Sequence, residues 1–227
     1  MGIMGIIFDL DGVLVDTVPA HFSAWQRMFN EYGYEFGKRE YRRLVDGRPR
    51  FDGARAVMTE HSDTEIRHAA DKKNGYYIEM IERGEFRVFE TAVALIRQCQ
   101  AIGLKLAAAS SSANVRTVLE KADLIDAFAV VVGGDDVKNG KPNPDIFLAA
   151  STDLGLSVDE CIVIEDSSSG VEAAKRGGFT CIGLRHGDHA EELSGADIVV
   201  SSLAELDLEQ LVRHRSRAQP PSELAGP

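Results

Sequence analysis

The chain is short of what several protein classes need. Its 227 residues hold three cysteines, Cys99, Cys161 and Cys181. The number is odd, no two of them form a C-x-x-C pair, and no zinc spacing occurs, so a disulfide framework and a structural zinc site are both excluded. Cys161 and Cys181 each begin a short apolar run, so buried, reduced thiols and a cytoplasmic protein are expected. No apolar run approaches the length needed to span a bilayer. The N-terminus shows no basic stretch leading into a long apolar core, so no signal peptide is evident. Positive charge is scarce as well: 25 Lys and Arg stand against 36 Asp and Glu, a net charge of −11. The molecule as a whole is therefore a poor partner for nucleic acid or an anionic membrane surface. An anionic substrate would need a local cation cluster or a metal. No internal repeat is present.

What remains is ordinary for a globular enzyme, with 44% hydrophobic and 27% charged residues. Short apolar runs at 3–8, 104–109, 129–132, 161–164, 180–184 and 198–200 read as strands. Amphipathic stretches at 91–100, 113–122, 145–154, 169–177 and 189–193 read as helices. Alternation of this kind predicts an α/β fold, a Rossmann-like parallel sheet covered on both faces. Ligands of such sheets lie beyond the carboxyl ends of the strands.

Residues 17–86 break the alternation and read as helices only, around 20–32, 38–44, 54–58 and 64–83. This predicts an inserted α-helical cap, with the core at 1–16 and 87–212. The crossings at 15–18 and 84–90 would form a hinge, and 47–50 a loop. The tail at 213–227 is polar with paired prolines, and disorder is expected there.

Three strands end in polar clusters: Asp9 and Asp11, Ser110-Ser111-Ser112, and Glu165-Asp166. Asp9 and Asp11 fall on one side of the chain. Two carboxylates that close raise each other's pKa unless a cation intervenes. A hard divalent metal would relieve the repulsion, with Asp166 adding an oxygen. A lone Asp-x-Asp-Gly would more simply end a turn; the second acid pair at another strand end argues against that. A serine run suits a phosphate or a helix cap equally. Lys141, followed by a proline that bars helix, could point its ammonium at an anion or into solvent. The insert carries Arg42, Arg43, Arg48, Arg50, Lys72 and Lys73; Arg50 could grip a second phosphate, while most of the others suit a solvated face. His21 lies near the hinge, where it is either structural or takes part in proton handling. His186 and His189 read as a surface loop.

In the order Asp9-Leu10-Asp11-Gly12-Val13, Ser110, Lys141-Pro142 and Glu165-Asp166, the chain resembles the haloacid dehalogenase superfamily to about Leu211. Asp16-Thr17, His21-Phe22, Ala24-Trp25, Arg50 and Lys73-Asn74 are similar to its β-phosphoglucomutase-like subfamily, with a C1-type helical cap. The resemblance implies Asp9 as nucleophile and Asp11 as general acid and base. It implies Mg2+ held by the Asp9 side chain, the Asp11 backbone carbonyl and Asp166, with Glu165 supporting the metal site. Ser110 and Lys141 would grip the transferring phosphoryl group. Gly12 and Val13 would lend backbone N–H groups. Substrate contacts are implied for Thr17, His21, Trp25, Arg50, Lys73, Ser111, Ser112 and Asn114. The implied partner is a small phosphorylated substrate, a sugar phosphate, and a monomer is expected.

The chain departs from the subfamily pattern at Ala113, where a lysine is usual, at Gly53, where a serine is usual, and at Val88-Phe89-Glu90 in the return hinge. A mutase interconverting β-glucose 1-phosphate and glucose 6-phosphate is expected. A phosphatase for sugar phosphates or similar esters and a non-catalytic phosphosugar-binding protein are the alternatives.

Overall fold

The computed structural model describes residues 2–46, 48–186 and 193–214. The chain alternates as the apolar runs predict. Strand β1 (Gly5–Phe8) is followed by a two-residue strand β2 (Val15–Asp16) and then by helices α1 (Val18–Glu31), α2 (Lys38–Leu44), α3 (Arg50–Val57) and α4 (Asp63–Glu82). The chain returns through β3 (Arg87–Val88) into α5 (Glu90–Ala101), β4 (Lys105–Ala109), α6 (Val115–Lys121), β5 (Val130–Val132) and α7 (Asp145–Asp153). It ends with β6 (Cys161–Glu165), α8 (Ser168–Arg176), β7 (Thr180–Leu184), β8 (Ile198–Val200) and α9 (Leu208–His214).

The main sheet has the order β5-β4-β1-β6-β7-β8, with every neighbouring pair parallel. The strand period of two sorts the side chains onto its faces. Ile6, Phe8, Leu106 and Ile164 pack with Leu95, Ile96 and Val118 on one side. Ile7, Ala107, Val163 and Cys181 pack with Phe147, Ala150 and Ala174 on the other. Both faces are covered, so the strands read as nearly continuous apolar runs. The three cysteines are buried and unpaired. Burial pushes their thiols up, to about 12 at Cys99, 11 at Cys161 and 12 at Cys181, which keeps them protonated and unreactive.

Among the described residues of 17–86 the insert is built of helices joined by short loops, and it has its own core of Trp25, Met28, Phe29, Phe36, Tyr41, Met58 and Ile66. Helix α4 starts in a capping box. The Ser62 N–H donates to Glu65 at 2.9 Å, and the Ser62 hydroxyl accepts from the Glu65 N–H at 3.4 Å. The two crossings pair with each other: β2 and β3 run antiparallel, Val15 opposite Val88 and Asp16 opposite Arg87.

Two boundaries differ from the sequence reading. Helix α3 begins at Arg50, so Arg50 is its first residue and not part of a loop. Pro49, at φ −53°, already has the backbone angle that a helix start requires. At the far end α9 runs on to His214, two residues past the expected edge of the core. The rest of the expected tail, His189, and all but the last residue of the expected 189–193 helix lie outside the described residues.

Candidate active site

The ends of β1, β4 and β6 meet at one edge of the sheet. Asp9 follows β1 and is 5% exposed; Glu165 closes β6 and is 1% exposed. Lys141, from the loop before α7, reaches both. Its ammonium bonds Asp9 Oδ1 and donates to Glu165 Oε1 at 2.6 Å. Burial opposes the Lys141 charge, but Asp9 and Glu165 outweigh it and hold its pKa above the ordinary value. The other Glu165 oxygen accepts from the Ser167 N–H at 2.7 Å and from its hydroxyl at 2.9 Å. Glu165 was expected among the metal residues; both its oxygens are instead committed, one of them to orienting Lys141.

One ammonium does not balance this cluster. Burial pushes the Asp9 carboxyl up to about 8; Lys141 counters, while Glu165 and Asp11 add to the rise. Asp166 is also driven well above its ordinary value, first by burial and then by Glu165, Asp9 and Asp46. A buried set with surplus negative charge accommodates a hard divalent cation. Gly12 brings Asp166 close. Its φ is +82°, and a Cβ there would overlap the Asp166 carboxylate. The crowded carboxylates of Asp9 and Asp166 thus suit a hard divalent cation such as Mg2+. Among the described residues no three acidic, His or Cys side chains form a complete cage.

The Asp11 side chain is engaged elsewhere. Its Oδ1 accepts from the Thr17 hydroxyl, and its Oδ2 from the Ser110 hydroxyl at 3.3 Å. His21 Nε2 stands 3.5 Å from Oδ1. Burial raises the Asp11 pKa, but His21, Thr17 and Lys73 together bring it below the ordinary value. His21 is in turn lowered, first by burial and then by Lys73, against the pull of Asp11. Each group is thus pushed by the other toward its charged form, yet only Asp11 gets there. The dry surroundings and Lys73 keep the ring neutral at pH 7. With Lys73 Nζ 2.8 Å from Nδ1, the fitting tautomer carries its proton on Nε2, toward Asp11. Tyr77 stacks on the ring, with centroids 4.0 Å apart and planes at 11°. Helical spacing builds the unit: Thr17 and His21 lie one turn apart, as do Lys73 and Tyr77. Lys73 is 4% exposed, and burial brings its ammonium down to about 7.

The serine run forms a tight loop. Ser110 Oγ accepts from the Ser112 N–H at 3.0 Å, and Ser112 Oγ accepts from the Asn114 N–H at 3.1 Å. The Ser111 hydroxyl is buried without a hydrogen-bond partner. Helix α6 begins only at Val115, so the serines precede the helix and do not lie in its first turn. Asn114 Nδ2 donates to Asn74 Oδ1 at 2.7 Å, a bond from core to cap. Nearby, a Cβ on Gly140 would lie 2.9 Å from Pro49 of the cap, so the cap rests on the Lys141 loop.

Other expected residues take different places. The Gly12 N–H closes its own turn on the Val15 carbonyl at 2.7 Å, so it is not offered to a phosphate; Val13 is buried. Trp25 lies in the cap core, stacked on Phe29 at 5.2 Å, and meets the site through the Lys73 ammonium 4.9 Å above its ring. Arg50 stands 3.6 Å from Asp71 on a partly exposed face. Lys72 pairs with Glu31 at the surface. His186 does more than line a surface loop: its ring stacks on Phe89 at 5.5 Å, and its Nε2 lies 2.5 Å from the Gly12 carbonyl. Sequence reasoning gave no site role to Asn74 or Tyr77. The helical spacing from Lys73 could have pointed to Tyr77; Asn74 matches the subfamily beside Lys73, but without a role.

Known proteins resemble the chain over most of its length. A protein-family model described as haloacid dehalogenase-like hydrolase matches residues 6–184. The chain is 32% identical over 213 residues to a β-phosphoglucomutase of Bacillus subtilis, covering 91% of this chain and 92% of that protein. It is 33% identical over 179 residues to a phosphorylated carbohydrates phosphatase of Thermotoga maritima, covering 77% of this chain and 81% of that one. The crystal structure of β-phosphoglucomutase from Clostridium difficile superposes with a TM-score of 0.84 at 28% identity, covering 92% of this chain and 95% of that one.

Proposed function

The chain belongs to the haloacid dehalogenase-like hydrolases, in their β-phosphoglucomutase-like branch, and from that premise we propose that it interconverts β-glucose 1-phosphate and glucose 6-phosphate through an aspartyl phosphate on Asp9. The observation that carries this reading is the division of labour between Asp9 and Asp11. Lys141, from the loop before α7, holds Asp9, and groups from the start of the cap hold Asp11.

A carboxylate oxygen of Asp9 attacks phosphorus as the bond to the sugar oxygen breaks, and Asp11 delivers a proton to that leaving oxygen. In the second half, the 6-hydroxyl of β-glucose 1-phosphate attacks the aspartyl phosphate to give the 1,6-bisphosphate, Asp11 takes the hydroxyl proton, and the Asp9 carboxylate is released; attack of Asp9 on the 1-phosphate of that bisphosphate then frees glucose 6-phosphate. His21 and Thr17 keep Asp11 ionised, ready for the base role; a phosphate dianion beside it raises its pKa toward the acid role. Lys141 offsets the charge that develops on the transferring oxygens, and Ser110 turns its hydroxyl from Asp11 to the phosphate. Asp9, the Asp11 carbonyl and Asp166 would hold Mg2+, which would supply further charge neutralisation. Arg50, with Ser112 and Asn114, takes the distal phosphate of the bisphosphate intermediate. The protein works as a monomer.

A phosphatase is the second reading. Ala113 favours it, since it removes a cation from the substrate side; Gly53, the other departure, faces Trp25 and Val45 in the cap core. The test is phosphorus NMR of the protein with magnesium, β-glucose 1-phosphate and a trace of glucose 1,6-bisphosphate. Glucose 6-phosphate with little inorganic phosphate supports the mutase. Inorganic phosphate as main product supports the phosphatase and refutes the mutase.

A further inference from the structure

The cap is a helical body with its own core, joined to the sheet domain by two short crossings. Beyond those crossings, Ala20, Ala24, Tyr77 and Ile81 of the cap join the apolar cluster of the sheet domain, and among the described residues further contacts reach the catalytic edge. His21 approaches Asp11, Pro49 lies against Gly140, and Asn74 takes the amide proton of Asn114. The first contact belongs to the proton-transfer unit, and the second is apolar. The third is a directional hydrogen bond between two neutral amides, 2.7 Å long and part-buried, so salt does not screen it. It joins the middle of α4 to the residue just before α6, at the mouth of the cleft.

Resting on the phosphoryl-transfer reading above, we propose that Asn74 is a positioning residue that latches the cap through Asn114 and so sets how often the aspartyl phosphate meets water in place of a sugar hydroxyl. Asn74 immediately follows Lys73, so one turn of α4 carries both the lysine that orients His21 and the amide that ties the cap down. The bond occupies one N–H of the Asn114 amide. The other N–H and the carbonyl oxygen remain for a substrate hydroxyl or phosphate oxygen. Orienting Asn114 and closing the cap are therefore one event. The residue at 113 is an alanine, so no cation at that position adds its attraction to the same edge.

The test compares Asn74→Ala with Asn74→Asp. Alanine favours the helix more than asparagine, so the first variant keeps α4 intact while removing the acceptor. The second keeps the acceptor oxygen and can still receive the Asn114 N–H. Hydrogen exchange of the full-length protein reads the latch directly. Faster exchange over residues 110–116 in Asn74→Ala, and wild-type exchange in Asn74→Asp, support it. Wild-type exchange in Asn74→Ala overturns it, as does Asn74→Asp behaving like Asn74→Ala, and neither result depends on which reaction the enzyme runs. The second readout is inorganic phosphate released per glucose 6-phosphate formed. Loss of one neutral hydrogen bond is expected to raise that ratio about three- to tenfold in Asn74→Ala. An unchanged ratio despite faster exchange overturns the guarding role. A wild-type protein that forms no glucose 6-phosphate refutes the mutase reading, and the exchange data then decide the latch alone.

Discussion

Replacing Lys73 by Met should make the protein more stable and less active. Lys73 is 4% exposed, and its ammonium has a pKa of about 7 in the folded chain against 10.5 in the open one. Each unit is worth about 1.4 kcal/mol, so at pH 7 the buried amine costs the fold ~4 kcal/mol. Its contacts return part of that. The hydrogen bond to His21 is worth ~1 kcal/mol. The positions over Trp25 and Tyr77, at 4.9 and 5.0 Å, add ~1 kcal/mol. Methionine fills similar volume without the charge, so Lys73→Met should gain ~2 kcal/mol at pH 7. The sign with pH follows from proton counts. Between pH 7 and 10.5 the unfolded chain holds a proton on Lys73 that the folded chain has lost, so wild-type stability rises with pH through that window. By pH 9 the cost has fallen to ~2 kcal/mol and the advantage of the variant to about zero. Urea denaturation of both proteins in magnesium-free buffer at pH 7 and 9 reads this difference. Turnover should fall at least tenfold, because His21 loses the partner on Nδ1 that fixes its tautomer. A variant less stable than wild type at pH 7, or an advantage that does not shrink by pH 9, would refute the reasoning.

Asp9→Asn should abolish phosphoryl transfer while leaving the circular dichroism spectrum unchanged, and mass spectrometry should find no phosphoryl group on the peptide carrying residue 9; residual turnover would remove Asp9 as nucleophile. Magnesium should raise the melting temperature of the wild type, because it relieves the crowding of Asp9 and Asp166, and Asp166→Asn should lose most of that rise. Gly12→Ala should cost ~1–2 kcal/mol from the positive φ, and it should blunt the magnesium response as its Cβ displaces Asp166; an alanine variant with wild-type magnesium affinity would separate Gly12 from the metal site.

The architecture was legible in the chain because both faces of a parallel sheet are buried, so each strand announces itself as an apolar run between amphipathic stretches. The break at residue 17, where strand-like runs cease, marked the insert for the same reason. The acids also stood out, since Asp9, Asp11, Glu165 and Asp166 end strands where a parallel sheet gathers ligands. Identical carboxylates cannot reveal their partners by spacing alone. Only the folded chain brings Lys141, 132 residues beyond Asp9, between Asp9 and Glu165, and so turns an expected metal residue into a support for the lysine. Only the cap's seat on the sheet hands Asp11 to Thr17 and His21, giving two neighbouring aspartates opposite pKa shifts. The Asn74–Asn114 bond was beyond local reading for the same reason: the sequence matched each asparagine to the family separately, and their pairing exists only where the two domains meet.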